Sequence, residues 1–268
     1  MTAVAVSELP LVGLTRRPTG AARPTATARR QLPGGPESGA DADRLKAMAR
    51  SANDQLEGRI AHDIIRWAAD SFGGTFCVTS SMQDLVLADI AASVAPGVDV
   101  VFLDTGYHFA ETLGTRNAVV ATMDVRVVEA RPTQTVAEQD ATLGVRLHDR
   151  NPELCCQLRK VAPLSRMLAG YDAYATGVRR VESPTRAFTP VVRFDAANRV
   201  IKLAPLTSWT DDDVTDYARE HGVLSNPLLE EGYPSIGCIP CTSRVTDGED
   251  VRSGRWAGRS KIECGLHR

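Results

Sequence analysis

Short apolar runs alternate with segments of helical spacing along most of this chain, and this alternation constrains its fold more than any other feature. The runs at 75–80, 98–103 and 125–130 are predicted as strands, and the apolar run at 98–103 suits a buried parallel strand. Asp84 to Ala92 and His108 to Met123 lie between them and place apolar residues at steps of three and four. Further elements are predicted as strands at 173–178 and 200–206 and as a helix at 211–221. This alternation predicts an α/β fold with a doubly wound, mostly parallel sheet.

Composition divides the chain into three regions. Residues 1–40 are rich in Ala, Pro, Thr, Gly and Arg, with Glu8 and Glu37 as their acids, which predicts a disordered leader. Residues 41–225 hold the alternating elements, beginning with a helical pattern that runs from Asp41 to the Gly73–Gly74 pair, and are predicted to form a nucleotide-binding domain. In residues 226–268 Gly, Pro, Cys and charged residues predominate, which predicts a loop-rich C-terminal segment.

Size and charge exclude several functions. A chain of 268 residues can bury a sizeable core, so it does not need disulfide bonds for stability. It has no apolar stretch of about 18 residues to span a membrane, and a net charge of -2 gives no general attraction to nucleic acid or to a membrane surface. We expect a soluble, cytoplasmic protein. In that reducing compartment, spaced cysteines are more often metal ligands or catalysts than disulfides.

Four of the six cysteines form two close pairs. Cys155 and Cys156 are adjacent, and Cys238 and Cys241 enclose a Cys-x-x-Cys motif. Zinc ligands are usually separated by two to four residues, which the adjacent pair does not satisfy. A cubane iron-sulfur cluster offers a separate iron to each of four thiolates, so neighbouring cysteines can each bind one. The pattern favours a [4Fe-4S] cluster over zinc, and over two unrelated buried thiols.

The two remaining cysteines differ in their surroundings. Cys77 lies inside a predicted strand and is interpreted as a small buried hydrophobe. Cys264 lies in a polar C-terminal tail among basic residues, namely Arg252, Arg255, Arg259, Lys261 and His267. Cationic neighbours favour the nucleophilic thiolate form of a cysteine, so Cys264 is the candidate nucleophile. An unreactive terminal thiol is the alternative.

Three loops follow predicted strands at the edge where such sheets bind ligands. The first contains Ser80, Ser81 and Asp84 and leads into a helix, whose first N–H groups favour a phosphate. It is not a Walker loop, because the Gly-Lys-Ser ending is absent, and an ordinary helix cap explains it equally well. The second begins at Asp104, and the third carries Arg179, which suits anion recognition.

These motifs together resemble the bacterial assimilatory adenylyl-sulfate reductases, most of all their actinobacterial members. The similarity begins near Asp41 and extends to the end of the chain. It depends on Cys155-Cys156-Gln-Leu-Arg-Lys, on Cys238-Ile-Pro-Cys241 and on Glu263-Cys264-Gly-Leu-His, together with the loops after the first two strands. The sister reductases that use 3'-phosphoadenylyl sulfate share the tail but typically lack the four cluster cysteines.

The resemblance implies a fold, a cofactor and a set of site residues. The fold is that of the adenine nucleotide alpha hydrolases and ATP pyrophosphatases, whose phosphate loop matches Ser80 to Asp84, although Ser81 and Met82 here replace glycines of the wider superfamily. It implies cluster ligation by the four paired cysteines and nucleophilic attack by Cys264. The implied substrate contacts are Ser80, Ser81, Asp84, Lys160, Arg179, Arg252, Arg255 and His267.

The implied reaction reduces adenosine 5'-phosphosulfate to sulfite and AMP through an S-sulfocysteine at Cys264, with thioredoxin or a related dithiol protein as reductant. The cluster is expected to act through its charge and structure, and tail glycines to let Cys264 swing between substrate and reductant. Three alternatives stay open: a nucleotide-binding redox sensor, a tRNA-modifying sulfur transferase, and a reductase of the 3'-phosphorylated substrate or of both. The sequence leaves homo-oligomer formation open.

Overall fold

A six-stranded sheet forms the centre of the computed structural model, which describes residues 39–246, 248–259, 261 and 263–267. The strand order is β3-β2-β1-β4-β6-β5, and every neighbouring pair is parallel except the antiparallel pair β5–β6. The strands are β1 (Phe76–Ser80), β2 (Val98–Leu103), β3 (Val125–Ala130), β4 (Ala173–Thr176), β5 (Val192–Asp195) and β6 (Val200–Leu203). The predicted doubly wound, mostly parallel sheet is confirmed.

Helices connect the strands and cover the sheet. The α-helices are α1 (Gly39–Leu56), α2 (Ala61–Phe72), α3 (Val86–Val94), α4 (Ala110–Thr122), α5 (Val136–Leu143), α6 (Leu147–Arg150), α7 (Pro152–Cys156), α8 (Ala162–Leu168) and α9 (Asp211–His221). A π-helical turn, Gln157–Val161, joins α7 to α8 without a break. Short 3-10 turns lie at Gly73–Thr75, Arg180–Glu182, Pro184–Arg186, Pro227–Leu229, Ile239–Cys241 and Gly265–His267. None of the helices in the described part of the chain has the length and apolarity needed to cross a membrane.

Alternate side chains of the central strands enter two separate apolar layers, as the period of a strand requires. Val78 on β1 packs in the layer that contains Ile64 and Ile65 of α2. Its neighbour Cys77 faces the other layer, where it meets Leu164 and Leu168 of α8. Cys77 is fully buried, in agreement with its interpretation as a core residue. Both faces of the sheet are therefore covered.

The order of the strands places a ligand-binding crevice beside β1. The chain passes from β1 to β2 and β3 on one side and then returns to β4 on the other side of β1. At such a reversal the loops after the two central strands diverge and leave a crevice at their carboxyl ends. The loops that begin after Ser80, Leu103 and Thr176 all end at this edge. The fold thus brings together the three loops selected from the sequence.

The loop after β1 has an unusual backbone. Met82 adopts a φ of 60°, in the left-handed region where non-glycine residues are strained. Its side chain is fully buried against Leu85, Val100 and Phe102, and its N–H donates to the Ser80 hydroxyl at 3.1 Å. The backbone at Met82 therefore has a conformation that glycine adopts easily. The buried Met82 side chain, which a glycine would lack, anchors the loop in the core.

Several details differ from the predictions. The helical pattern that begins at Asp41 is divided into α1 and α2, because Gly58 adopts a left-handed φ of 77° between them. The edge strand β5 and the π-helical turn were not predicted. The predicted leader at residues 1–40 falls almost wholly outside the described residues. Residues from 226 onward belong to the same compact unit as the sheet.

Candidate active site

The four paired cysteines meet around one small cavity. Cys155 and Cys156 end α7, and Cys238 and Cys241 flank the 3-10 turn Ile239–Cys241. All four are buried free thiols that line this cavity, together with Tyr107, Arg159 and Lys160. The structure therefore brings together two cysteine pairs that are separated by more than 80 residues in sequence.

The thiols influence one another electrostatically. Burial, together with the neighbouring Cys156 and Cys238 thiols, raises the pKa of Cys155 to about 12. Burial likewise raises the pKa of Cys156 and that of Cys241. Four adjacent thiols resist ionisation unless a positive group compensates their charge. A bound cationic metal centre is such a group.

The donor set of this cavity consists of the four paired cysteines. Four converging buried thiols match the Cys₄ set of a [4Fe-4S] cluster, in which each thiolate binds its own iron. The residues present thus fit the group that the sequence suggested.

Arg159 ties the cysteine cavity to the loop after β2. Its guanidinium is buried, donates to the Thr105 carbonyl at 2.5 Å and to Gln139 Oε1 at 3.0 Å, and lies 5.2 Å from the centre of the Tyr107 ring. The Thr105 hydroxyl lies 3.3 Å from Cys238 Sγ. Arg159 belongs to the Cys-Cys-Gln-Leu-Arg-Lys motif, but its sequence position carried no signal of this role.

A larger cavity of about 220 Å³ lies beside the cysteines at the carboxyl edge of the sheet. Of the predicted site residues, Ser80, Ser81, Asp84, Lys160, Arg252, Arg255 and Cys264 line it. The loop after β1 forms one wall, the π-helical turn contributes Lys160, and the C-terminal segment closes the cavity. These seven predicted substrate-binding and nucleophile residues, and Cys238 of the cysteine pairs, therefore share one cavity.

Cys264 lies in this wall rather than on the surface. Cys264 is 9% exposed and packs with Cys238, Cys241 and Trp256. Lys160 carries its charge near Cys264: burial opposes that charge, but the Cys238 and Cys264 thiols outweigh burial and raise the pKa of the lysine. The candidate nucleophile therefore has the charge of a half-buried lysine nearby.

Arg255 is held in a narrow space. Burial and the nearby Arg252 charge lower its pKa, which shows a guanidinium with few compensating anions. A Cβ atom on Gly237 would overlap its guanidinium carbon and nitrogens. Its Nε has no hydrogen-bond partner among the described residues. Arg255 is thus a half-buried cation whose Nε is available to an anionic ligand.

Asp84 and Arg179 interact near the loop after β1, and only Asp84 lines the cavity. Burial raises the pKa of Asp84, and the charge of Arg179 opposes that shift. The Arg179 side chain donates to Asp211 at 2.6 Å at the start of α9, and it is not among the residues that line the cavity. His267 ends the described chain, and its side chain lies outside the described residues.

Three cavity residues were missed in the sequence. Glu182, Arg186 and Glu263 form a chain of ion pairs at the cavity wall, and Glu263 directly precedes Cys264. A carboxylate beside a thiolate nucleophile is unfavourable unless a cation neutralises it, so the Glu-Cys pair was a usable signal. The sequence did not identify that cation, because Arg186 lies 77 residues away from Glu263.

Trp256 was also missed. It is 2% exposed, has a left-handed φ of 51°, and its indole N–H has no partner among the described residues. The Arg255 guanidinium carbon lies 4.7 Å from the centre of its ring. Strained backbone and unpaired buried donors are concentrated at functional sites, and here both occur beside Cys264.

This site and fold define a class of protein. The chain matches the phosphoadenosine phosphosulfate reductase domain over residues 75–244 and belongs to that family, whose members are sulfur-group oxidoreductases. Its fold is the adenine nucleotide alpha hydrolase-like fold. A phosphoadenylyl-sulfate reductase from Candida auris, solved as a phosphate complex, has 28% identity and a TM-score of 0.61 and covers 78% of this chain and 98% of its own.

Similarity to proteins with a particular activity is higher still. An adenosine 5'-phosphosulfate reductase of Streptomyces coelicolor is 61% identical over 225 residues, which are 84% of this chain and 95% of that protein. A protein of the same name from Mycobacteroides abscessus is 53% identical over 227 residues, covering 85% and 96%. The predicted resemblance to this family is confirmed.

Proposed function

We propose that this protein reduces adenosine 5'-phosphosulfate to sulfite and AMP in assimilatory sulfate reduction, with Cys264 as nucleophile and a dithiol protein of the thioredoxin type as reductant. The observation that carries the proposal is the position of the Cys264 thiol, in the wall of a cavity shared with Lys160, Arg252 and Arg255. A thiolate and a phosphosulfate are both anions, so their approach requires such cations. The names of the close relatives support the choice of substrate.

In the first half-reaction, the Cys264 thiolate attacks the sulfur of the phosphosulfate. A bond forms between Sγ and that sulfur, the sulfur–oxygen bond to the phosphate breaks, and AMP leaves with the bonding electron pair. Lys160, Arg252 and Arg255 neutralise the charge that develops on the sulfate and phosphate oxygens. The product on the enzyme is an S-sulfocysteine.

In the second half-reaction, a thiolate of the partner attacks Cys264 Sγ. The sulfur–sulfur bond to the sulfonate breaks, and sulfite leaves with its electron pair, which leaves a mixed disulfide. The second partner thiol resolves it, so that the partner becomes oxidised and Cys264 returns as a thiol. Two electrons thus pass from the dithiol to sulfur.

The six free cysteines accord with a reducing, cytoplasmic location.

Cys155, Cys156, Cys238 and Cys241 would hold a [4Fe-4S] cluster. Such a cluster supplies a fixed local charge and joins α7 to the C-terminal segment. The loop from Ser80 to Asp84 and the nearby Arg179 would hold the nucleotide, and His267 would contact the phosphosulfate. The lining of the cavity by Ser80, Ser81 and Asp84 supports this assignment.

The mass of the protein tests the proposal. Anaerobically purified protein incubated with adenosine 5'-phosphosulfate should gain about 80 Da on the peptide that contains Cys264, because attack at sulfur transfers SO₃. The Cys77 peptide is an internal control, since that thiol is fully buried in the core and should gain no mass. Cys264→Ser should abolish both the adduct and sulfite release.

Two further measurements sharpen this test. Iron and acid-labile sulfide in about equal amounts, four of each per chain, are expected in the same preparation. Parallel incubation with the 3'-phosphorylated substrate distinguishes the two reductase activities by their rates of adduct formation. Sulfite release without any adduct at Cys264 would refute the nucleophile, and faster reaction of the 3'-phosphorylated compound would refute the substrate.

A further inference from the structure

The residue before the nucleophile is held by a buried arginine. Arg186 donates from Nε to Glu263 Oε2 at 2.9 Å and from Nη2 to Oε1 at 3.0 Å, a two-point pairing of guanidinium and carboxylate. Its third nitrogen, Nη1, donates to Glu182 Oε2 at 2.5 Å. The side chains of Arg186 and Glu263 are only 9% and 12% exposed. Such a pair is strong and directional because its geometry is fixed and little water competes for it.

The same carboxylate also contacts the nucleophile's backbone. Glu263 Oε1 accepts the N–H of Cys264 at 3.0 Å and lies 3.4 Å from Nη2 of Arg252. Glu263 therefore joins three groups: the anchoring arginine, the peptide of the nucleophile and a cation of the cavity. Movement of this carboxylate would move all three.

Two contacts hold the chain on the other side of Cys264. Lys202, on β6, donates to the Leu266 carbonyl at 3.1 Å. A Cβ atom on Gly265 would lie 3.1 Å from a methyl group of Val161, so the π-helical turn packs closely against the tail. The chain is thus held on both sides of Cys264. We call this arrangement of residues 263–266 the closed tail.

The closed tail suits only one half of the proposed reaction. It holds Cys264 at the cavity, where substrate is bound, but leaves the residue 9% exposed. A partner protein must bring its own sulfur into contact with Cys264 Sγ, which a buried thiol does not permit. The tail must therefore open between the two half-reactions.

We propose that the Arg186–Glu263 pair is the clamp that sets the balance between the closed and open tail. This inference rests on the proposed function and extends it by assigning Arg186 and Glu263 as positioning residues. The clamp favours sulfonation of Cys264, because it holds the thiol at the substrate. It opposes reduction of the S-sulfocysteine, because it hides the same sulfur from the partner.

Arg186→Lys tests the clamp, since lysine keeps the charge but cannot form the two-point pairing. Arg180→Lys is the control: Arg180 also makes a two-point pairing, from Nη1 and Nη2 to the Glu57 carboxylate at 2.8 and 3.0 Å, without touching the tail. Three rates are measured on anaerobic holoprotein. They are alkylation of Cys264 by iodoacetamide without substrate, single-turnover sulfonation, and reduction of preformed S-sulfo-enzyme by thioredoxin.

Arg186→Lys should speed alkylation of the Cys264 peptide about tenfold and slow sulfonation by a similar factor, while reduction by thioredoxin is unchanged or faster. Arg180→Lys should match the wild type in all three rates. Glu263→Gln, which keeps the size of the side chain and removes its charge, should shift the rates in the same direction as Arg186→Lys. Circular dichroism and iron content verify that each variant is folded and loaded.

Two results would overturn the clamp. One is alkylation of Cys264 at the wild-type rate in both Arg186→Lys and Glu263→Gln. The other is an equal fall of both half-reactions, which indicates a merely structural role. Failure of the proposed function looks different, since wild-type protein would then gain no sulfonate from adenosine 5'-phosphosulfate. The alkylation rates would still decide the clamp in that case.

Discussion

At the residue scale, the position of Arg255 depends on the absence of a side chain at Gly237. The guanidinium occupies the space that a Cβ atom at this position would need. Arg255, a predicted substrate-binding residue, therefore depends on Gly237, whose lack of a side chain gives no chemical sign of this role. A glycine in a Gly/Cys-rich loop suggests a turn, whereas here it makes room for a charged group.

Gly237→Ala should lower kcat/KM about 10- to 100-fold, because a displaced cation no longer stabilises charge in the transition state. Gly114→Ala is the control, since no atom lies within 4 Å of an added Cβ at that helical position. The measurement is the rate of sulfite release, together with thermal unfolding of both variants. Wild-type activity in Gly237→Ala would show that Arg255 tolerates displacement.

The residues that line the two cavities could be selected from the sequence where their motifs are local. The cysteine pairs, Cys264, Arg252 and Arg255 stand in short motifs, and the structure places them at these cavities, while their chemical roles stay predictions. Arg186 and Glu182 could not, since their role arises from ion pairs that only the folded chain creates. Met82 was noted as a departure from glycine, and its buried anchor becomes visible only in the packed loop.

At the element scale, the π-helical turn aligns the cysteine pair with the cavity. It inserts an extra residue between α7, which ends at Cys156, and α8, whose Leu164 and Leu168 are buried against the sheet. Each residue turns a helix by about 100°, so this insertion sets the direction of Lys160 relative to the cysteines. The π-helical turn therefore orients Lys160 and the Cys155–Cys156 pair relative to each other.

Deletion of Gln157, an exposed residue of this turn, should rotate the cysteines away from Cys238 and Cys241 by about 100°. We expect iron and sulfide content to fall by most of its value, while far-ultraviolet circular dichroism changes little. Gln157→Ala keeps the residue count and should retain the metal. Full iron content in the deletion variant would contradict the role given to the turn.

Elements with strong local patterns were predicted closely. β2 and β3 have the predicted bounds. The mostly apolar run of β2 identifies a buried strand, whereas β3 carries Arg126 and Glu129 and lies at the edge of the sheet. The bounds of α9 also agree: Thr210 accepts the N–H of Asp213 at its start, and Gly222 ends it with a left-handed φ of 63°. β5 escaped prediction because it has four residues, of which only the first and last are buried.

At the scale of the whole molecule, a chain of ion pairs connects the C-terminal segment to the loops after β4. Burial alone would raise the pKa of Glu263, but the hydrogen bond and charge of Arg186 outweigh burial and lower this pKa below its ordinary 4.5. Arg186 stays charged throughout. The stabilisation is therefore fully present above pH 4.5 and is lost as the pH falls through the lowered pKa.

Glu263→Gln should accordingly reduce the free energy of unfolding by about 1–3 kcal/mol at pH 7, the usual contribution of hydrogen bonds to a charged group. The difference from the wild type should vanish toward pH 3. Glu57→Gln, at the surface pair with Arg180, should change stability by less than about 1 kcal/mol. Denaturant unfolding of the three proteins from pH 7 to pH 3 measures this. A difference that persists at pH 3 would exclude ionisation as its cause.

The loop after β2 is a wall common to both cavities. Thr105 meets Cys238 and Arg159, and the Tyr107 carbonyl accepts the N–H of Ile239 at 2.8 Å. A change in packing around the four buried thiols would therefore reach Thr105, which also lines the larger cavity. We expect damage confined to the cysteine cavity to lower the activity proposed for Cys264 even where Cys264 itself is unmodified.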